Sequence, residues 1–300
     1  MSMKKITYIL LALFGALTAN AQDFQGMAVY ESKTTLPDMS KMGAPGGRDI
    51  TPEMRKQIEE RMKKALEKTF TLRFDKTASV YEEEEKLDAP GQDGGGMRMM
   101  ASFMGGGGKH FKNVKEKRYV IEKEVFGKEF LIDDTLPKLT WKMESETKKI
   151  GNYTCYKATA VIPASKSDFR NLRLKKDDAK KDDTKKADEP KSTNFMDQME
   201  MPKDVTITAW YSPEIPINQG PENYWGLPGL ILEVTDGRTI LLCSKIVLNT
   251  KEKAEIKAPT KGKKVTQAEF DDLVVKKMEE MRQMYQGQGG PGGMRPPRMN

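Results

Sequence analysis

"LILEVTDGRTILLCSKIVL", residues 230–248, sets two apolar runs on either side of an Asp-Gly pair. Asp-Gly flanked by alternating apolar residues is a strong two-residue hairpin signal. The spacing predicts strands over 230–235 and 238–248, with Asp236-Gly237 as the loop. That register sets Val234 opposite Thr239, Leu232 opposite Leu241 and Leu230 opposite Cys243. Leu230, Leu232, Val234, Leu241 and Cys243 then share one face, because side chains alternate along a strand. A hairpin with one continuous apolar face calls for an antiparallel sheet with a core beneath it, and places Cys243 in that core.

Outward from the hairpin, the same period of two recurs. Residues 24–33 predict a first strand, and 70–84 predict two short strands around Asp75-Lys76. Strand character returns over 114–132 with a bend at Gly127, over 139–143, over 153–162 after a turn at 150–152, and over 205–211. The period lengthens only twice. Thr51-Pro52-Glu53 opens a helix over 52–68 with Met54, Ile58, Met62, Ala65 and Leu66 on one face, expected to pack on the sheet. Thr266 and Glu269 form a capping box before a helix over 267–285, with Phe270, Leu273, Val274, Met278, Met281 and Tyr285 near one face. About nine strands and two amphipathic helices make the chain mostly β, a curved, half-barrel-like antiparallel sheet.

Low-complexity segments interrupt this pattern. Residues 175–189 repeat a Lys-Lys-Asp-Asp unit with almost no apolar residue, which cannot bury a core. The expected organisation is a single β-rich domain over 22–164 and 204–285, a charged low-complexity insertion over 165–203, and a disordered Gly/Pro/Met tail over 286–300. A second Gly- and Met-rich stretch, 87–110, reads as an exposed loop.

The first residues supply an address. Lys4 and Lys5 precede an apolar run, Ile6 to Leu17, and Ala19-Asn20-Ala21 fits a small-x-small cleavage rule before Gln22. Residues 1–21 are therefore expected to be a signal peptide, and the exported chain periplasmic, outer-membrane-associated or secreted. The apolar run is too short to span a bilayer, so no transmembrane segment is expected. Without Lys4 and Lys5 the net charge falls from +7 to +5, interspersed with acids, which is no nucleic-acid stripe.

The chemical inventory is narrow. A single histidine, His110, removes most imidazole metal sites and every triad with a histidine base. No Walker loop, G-x-S-x-G or G-x-G-x-x-G is present, and no cofactor is expected. Asp133 and Asp134 are strand neighbours pointing to opposite faces, so they do not converge. Cys155 and Cys243 form one disulfide in an oxidising compartment, or remain two buried thiols; both readings stand. The 20 methionines cluster, and Met97, Met99, Met100 and Met104 are soft thioethers at spacings that suit Cu(I) or Ag(I). Compositional bias accounts for the same residues.

One region is dense in turn formers and aromatics: "AWYSPEIPINQGPENYWGLPGLILEV", residues 209–234. Leu227-Pro228-Gly229-Leu230 suits a type II turn, with proline at the first central position and glycine at the second. The candidate contact residues here are Trp210, Tyr211, Pro213, Glu214 and Pro216, then Gly220, Pro221, Tyr224 and Trp225, and finally the hexapeptide Gly226, Leu227, Pro228, Gly229, Leu230 and Ile231. A structural corner that aims the hairpin accounts for the same residues.

At Gly226–Ile231 the chain resembles the GLPGLI family of secreted bacterial proteins. The resemblance extends back through Trp141, Lys149, Ile150, Gly151, Tyr153, Cys155, Lys157 and Ala158, and covers about 130–248. The insertion between Ile162 and Val205 departs from the family's short connection. The resemblance implies a curved antiparallel sheet loosely like that of periplasmic lipoprotein carriers, no agreed enzymatic activity, and an association with TonB-dependent outer-membrane transport. The function expected is a non-enzymatic cell-envelope protein that binds an apolar ligand or an outer-membrane partner. The alternative is a methionine-rich soft-metal binder.

Overall fold

The computed structural model describes residues 24–35, 51–84, 107–171, 173–174, 199–249 and 255–287. The expected signal peptide, the Met97–Met104 cluster, the lysine-aspartate repeat and residues 288–300 of the tail lie outside the described residues.

The chain is mostly β. Among the described residues, twelve strands form one open sheet, and two further strands form a small ribbon. The sheet is two antiparallel meanders joined edge to edge. The first runs β1 (Gln25–Thr34), β2 (Lys68–Asp75), β3 (Ala78–Glu83), β4 (Lys109–Asn113), β5 (Arg118–Val125) and β6 (Lys128–Thr135), each paired with the next. The second contains β7 (Lys142–Ile150), β8 (Tyr153–Pro163), β11 (Asp204–Ser212), β12 (Leu230–Thr235) and β13 (Thr239–Leu248). The ribbon pairs β9 (Arg173–Leu174) with β10 (Met199–Glu200). The seam between the meanders is β1 against β13, from Gly26 opposite Leu248 to Thr34 opposite Thr239. The sheet is mixed rather than antiparallel throughout, because β14 (Lys263–Val265) pairs parallel to β6. β7 and β14 are its two edges.

Cross-strand partners share a face. Ala28, Leu72, Tyr81, His110, Ile121 and Ile132 form one continuous row across β1 to β6. Gly26, Phe74, Ser79, Lys112, Tyr119 and Asp134 form the next. This face carries the main core, where Tyr30, Phe70, Leu72, Phe74 and Tyr81 are at most 1% exposed. On the opposite face Val80, Phe111 and Val120 bury against Ile256 and Ala258 of the segment before β14.

Helix α1, Pro52–Leu66, has Thr51 as its cap, whose hydroxyl accepts a hydrogen bond from the Met54 amide at 3.2 Å. It ends at Leu66, its last apolar-face residue and two residues before the expected end at 68, because β2 already begins at Lys68. Only its C-terminal half docks, through Met62 and Leu66, while Met54 stays exposed. Helix α2, Gln267–Gly287, starts with the expected reciprocal box: Thr266 Oγ1 accepts from the Glu269 amide, and a Glu269 carboxylate oxygen accepts from the Thr266 amide. It seats Phe270 and Val274 in a core cluster with Phe130 and Ile132.

Four expectations require correction. The Asp236-Gly237 hairpin is shifted by two residues: Val234 faces Leu241, and Thr235 faces Ile240. Residues 236–238 connect the two strands: the Asp236 carboxylate accepts from the Arg238 and Thr239 amides, and Gly237 takes φ 87°. Cross-strand parity survives a shift of two, so Val234 and Leu241 still share a face. The charged insertion does not begin at 165, because Phe169–Asn171 is a 3-10 turn with Phe169 and Asn171 buried. Strand β4 occupies the end of the stretch read as an exposed loop. The strand expected over 139–143 begins instead at Lys142 and runs to Ile150.

Candidate functional site

The segment between β11 and β12, residues 213–229, folds back over the sheet rather than looping into solvent. Its backbone doubles on itself: the Leu230 amide donates to Ile215 O at 3.0 Å, Ile231 to Gln219 O at 3.0 Å, and Gly226 to Asn218 O at 3.1 Å. Ile215 and Ile217 enter the main core, and Leu227 a second one with Ala209, Tyr211 and Val234.

The type II turn expected at Pro228-Gly229 is absent. Gly229 is not at positive φ; Gly226 is, at 90°. The Gly229 amide donates to Leu227 O at 2.8 Å, a tight three-residue turn around Pro228. Glycine stands at 229 for space, since a Cβ there would lie 2.2 Å from Ser212 O.

Buried polar groups pin the segment from below. Lys112 on β4 is 1% exposed, and its ammonium donates to Gly220 O and to Glu222 O, the latter at 2.8 Å. Burial lowers its pKa to about 7, opposed by the nearby Glu222 charge. Arg170 donates to both carboxylate oxygens of Glu222, at 2.6 and 3.2 Å, and from Nε and Nη2 to Asp168 at 2.9 Å. Burial opposes the Arg170 charge, but Asp168 and Glu222 outweigh it and hold its pKa well above the ordinary value. Ser79 Oγ donates to Gln219 Oε1 at 3.0 Å, and Tyr30 Oη to Ile231 O at 2.6 Å.

The aromatic pair is half-buried. Tyr224 packs in the cluster with Trp141, and Trp225 with that of Phe270. Trp225 Nε1 donates to Pro137 O and Trp141 Nε1 to Trp225 O, both at 2.8 Å. Trp210 lies under the Lys148 ammonium, 4.4 Å from its ring, and Lys148 pairs with Glu233 at 2.6 Å. Tyr211 is buried, and its hydroxyl donates to Met143 Sδ at 3.7 Å. Glu214 accepts the Thr154 amide at 2.8 Å. Gly220 and Pro221 are buried, while Pro213, Pro216 and Pro228 are exposed.

Between Pro216 and Pro228 a cleft of about 420 Å³ opens to solvent, lined by these two with Lys76, Ile217, Asn218, Leu227 and Gly229. The expected contact residues thus divide. Pro216, Leu227, Pro228 and Gly229 converge on the cleft, whereas Trp210, Tyr211, Gly220, Pro221, Leu230 and Ile231 build the support behind it.

Cys155 and Cys243 are free thiols, both buried and in one core cluster. Burial pushes Cys155 up to about 11 and Cys243 up to about 12, so neither is a thiolate at neutral pH. Asp133 and Asp134 point apart as expected. Asp133 takes Arg118 and Lys264, which hold its pKa down at about 2, and Asp134 accepts the Gln267 amide at the start of α2.

Lys112, Arg170, Asp168 and Glu222 escape sequence reasoning. In "KHFKN" the polar residues of the alternation read as the solvent face, whereas Lys112 points inward. Arg170 sits next to a charge-rich tract and reads as part of it.

Residues 141–233 match a family model described as a protein of unknown function (Porph_ging). The match spans most of the second meander and the folded-back segment. No curated protein matches. Among solved structures, PNGF-II in a C2 crystal form is similar with a TM-score of 0.44 and 12% identity over 84% of this chain and 33% of that one. The P21 form gives 0.42 and 13% over the same shares. The chain spans about a third of the length of those structures.

Proposed function

We propose that the protein is a non-enzymatic binding protein of the cell envelope that takes an apolar group into the cleft beside Pro228. The group belongs to a small ligand or to an outer-membrane partner, in keeping with the GLPGLI resemblance and its link to TonB-dependent transport. The observation that carries this reading is the cleft itself, whose walls are largely the residues of the GLPGLI-type segment. About 420 Å³ lies within the range of small-molecule sites. The segment that carries its walls is fixed by backbone bonds from Leu230 to Ile215 O and from Gly226 to Asn218 O, and at Gly220 and Glu222 by Lys112, which reduces the entropy lost on binding. Export by residues 1–21 belongs to the same reading.

The test is a titration with 1-anilinonaphthalene-8-sulfonate, paired with capture from native envelopes and mass spectrometry of co-purifying proteins and lipids. Pro216→Trp and Pro228→Trp place an indole in the cleft from exposed positions. Both variants should lose probe and envelope components while keeping the wild-type circular dichroism. Folded variants that bind both as wild type does would refute the reading.

A further inference from the structure

We infer that the cleft beside Lys76 is a site for an aliphatic carboxylate: a short alkyl chain on the apolar wall and a single anionic head on the Lys76 ammonium. This rests on the cleft-binding reading and adds the chemical class of ligand to it.

Three observations point to that class. The wall is apolar, made by Ile217, Leu227, Pro216 and Pro228. Among the described residues of the lining, Lys76 is the sole charged one, and no acid stands there to neutralise it. Lys76 has no ion pair among the described residues, although its backbone is fixed: Asp75 Oδ1 accepts from the Thr77 amide at 2.6 Å and from the Ala78 amide at 2.7 Å. A lysine that lines an apolar wall offers its ammonium to an anion that carries its own apolar surface. Alkyl burial supplies the affinity, at about 25 cal/mol per Å², and the charge supplies the selection. Asn218 adds an amide to the same lining. At about 420 Å³, the cleft accepts one short chain rather than a two-tailed phospholipid.

The experiment is calorimetric titration of the full chain with decanoate and with decanol, below their aggregation concentrations, on wild type, Lys76→Gln and Lys76→Arg. Lys76 is exposed and its turn is held by Asp75, so all three proteins should fold. Decanoate should bind wild type about fivefold more tightly than decanol, as an exposed ion pair allows. The preference should vanish in Lys76→Gln, return in Lys76→Arg, and shrink in 0.5 M salt. Equal binding of the two ligands by wild type, or a preference unchanged in Lys76→Gln, overturns the carboxylate assignment and leaves the apolar cleft standing. Absence of binding by either ligand also overturns it; the cleft reading then falls only if the Pro216→Trp and Pro228→Trp variants still capture the wild-type set of envelope components.

Discussion

Lys112 places an ammonium where water does not reach and gives it carbonyl oxygens rather than a carboxylate as hydrogen-bond partners. Its folded pKa of about 7 lies below the ordinary lysine value of 10.5. Between those two values the unfolded chain binds a proton that the folded chain does not, so this residue makes stability rise with pH across that window. Below pH 7 both states are protonated and the burial penalty is complete. Cys155 and Cys243 act oppositely, since their raised pKa values make stability fall as pH rises past the ordinary thiol range. The test is therefore a difference: urea-derived stability of wild type minus Lys112→Met should increase from pH 7 to pH 10. A flat difference would mean that Lys112 is not a buried charge in solution. Gly229→Ala should cost about 1–3 kcal/mol in the same assay, because its Cβ meets the Ser212 backbone. Both thiols should resist iodoacetamide in the native protein and react in urea; a mass consistent with a disulfide would contradict the free pair.

At the scale of elements, α2 is the most informative. Phe270 is 2% exposed and meets Phe130 edge-on, with ring centroids 5.6 Å apart. Phe270→Ala should lower stability by about 3 kcal/mol, and Thr266→Ala, which opens the capping box, by about 1 kcal/mol, both read from urea midpoints. Strand β1 was legible because its burial alternates, and the two helices because of their caps and apolar faces. β2, β3 and the β12–β13 hairpin were legible because apolar runs flank the Asp75-Lys76 and Asp236-Gly237 turns, although β3 and β12 bury consecutive residues. Strands without such signals were not. β7 is an edge whose residues are mostly exposed, so "KMESETKKI" shows no apolar alternation and its start was misplaced. β14 is three residues long, and its partnership with β6 is parallel and distant in sequence. In the candidate site, the hexapeptide stood out by its turn chemistry, but the role of Gly229 depends on an approach of Ser212 that no local pattern encodes. The polar pins depend on which face of β4 turns inward.

For the whole molecule, the paired strands β9 and β10 bring residue 174 close to residue 199. Replacing 175–198 with a four-residue turn should therefore leave the melting temperature within about 2 °C, because a shorter loop between ends that already pair costs little to close. A larger loss would show that the charged tract contributes to the fold.

The seam between the meanders sets the order in which the chain can acquire its structure. β1 has neighbours on both sides, and one of them, β13, lies more than 200 residues downstream. Until residue 248 is available, the first meander carries an open hydrogen-bonding edge along β1, and the core row through Tyr30 lacks Cys243 across the seam. Pairing over so large a sequence separation is slow to form and late to close. A truncated chain ending at Thr235, which lacks β13, should therefore remain largely unstructured by amide exchange.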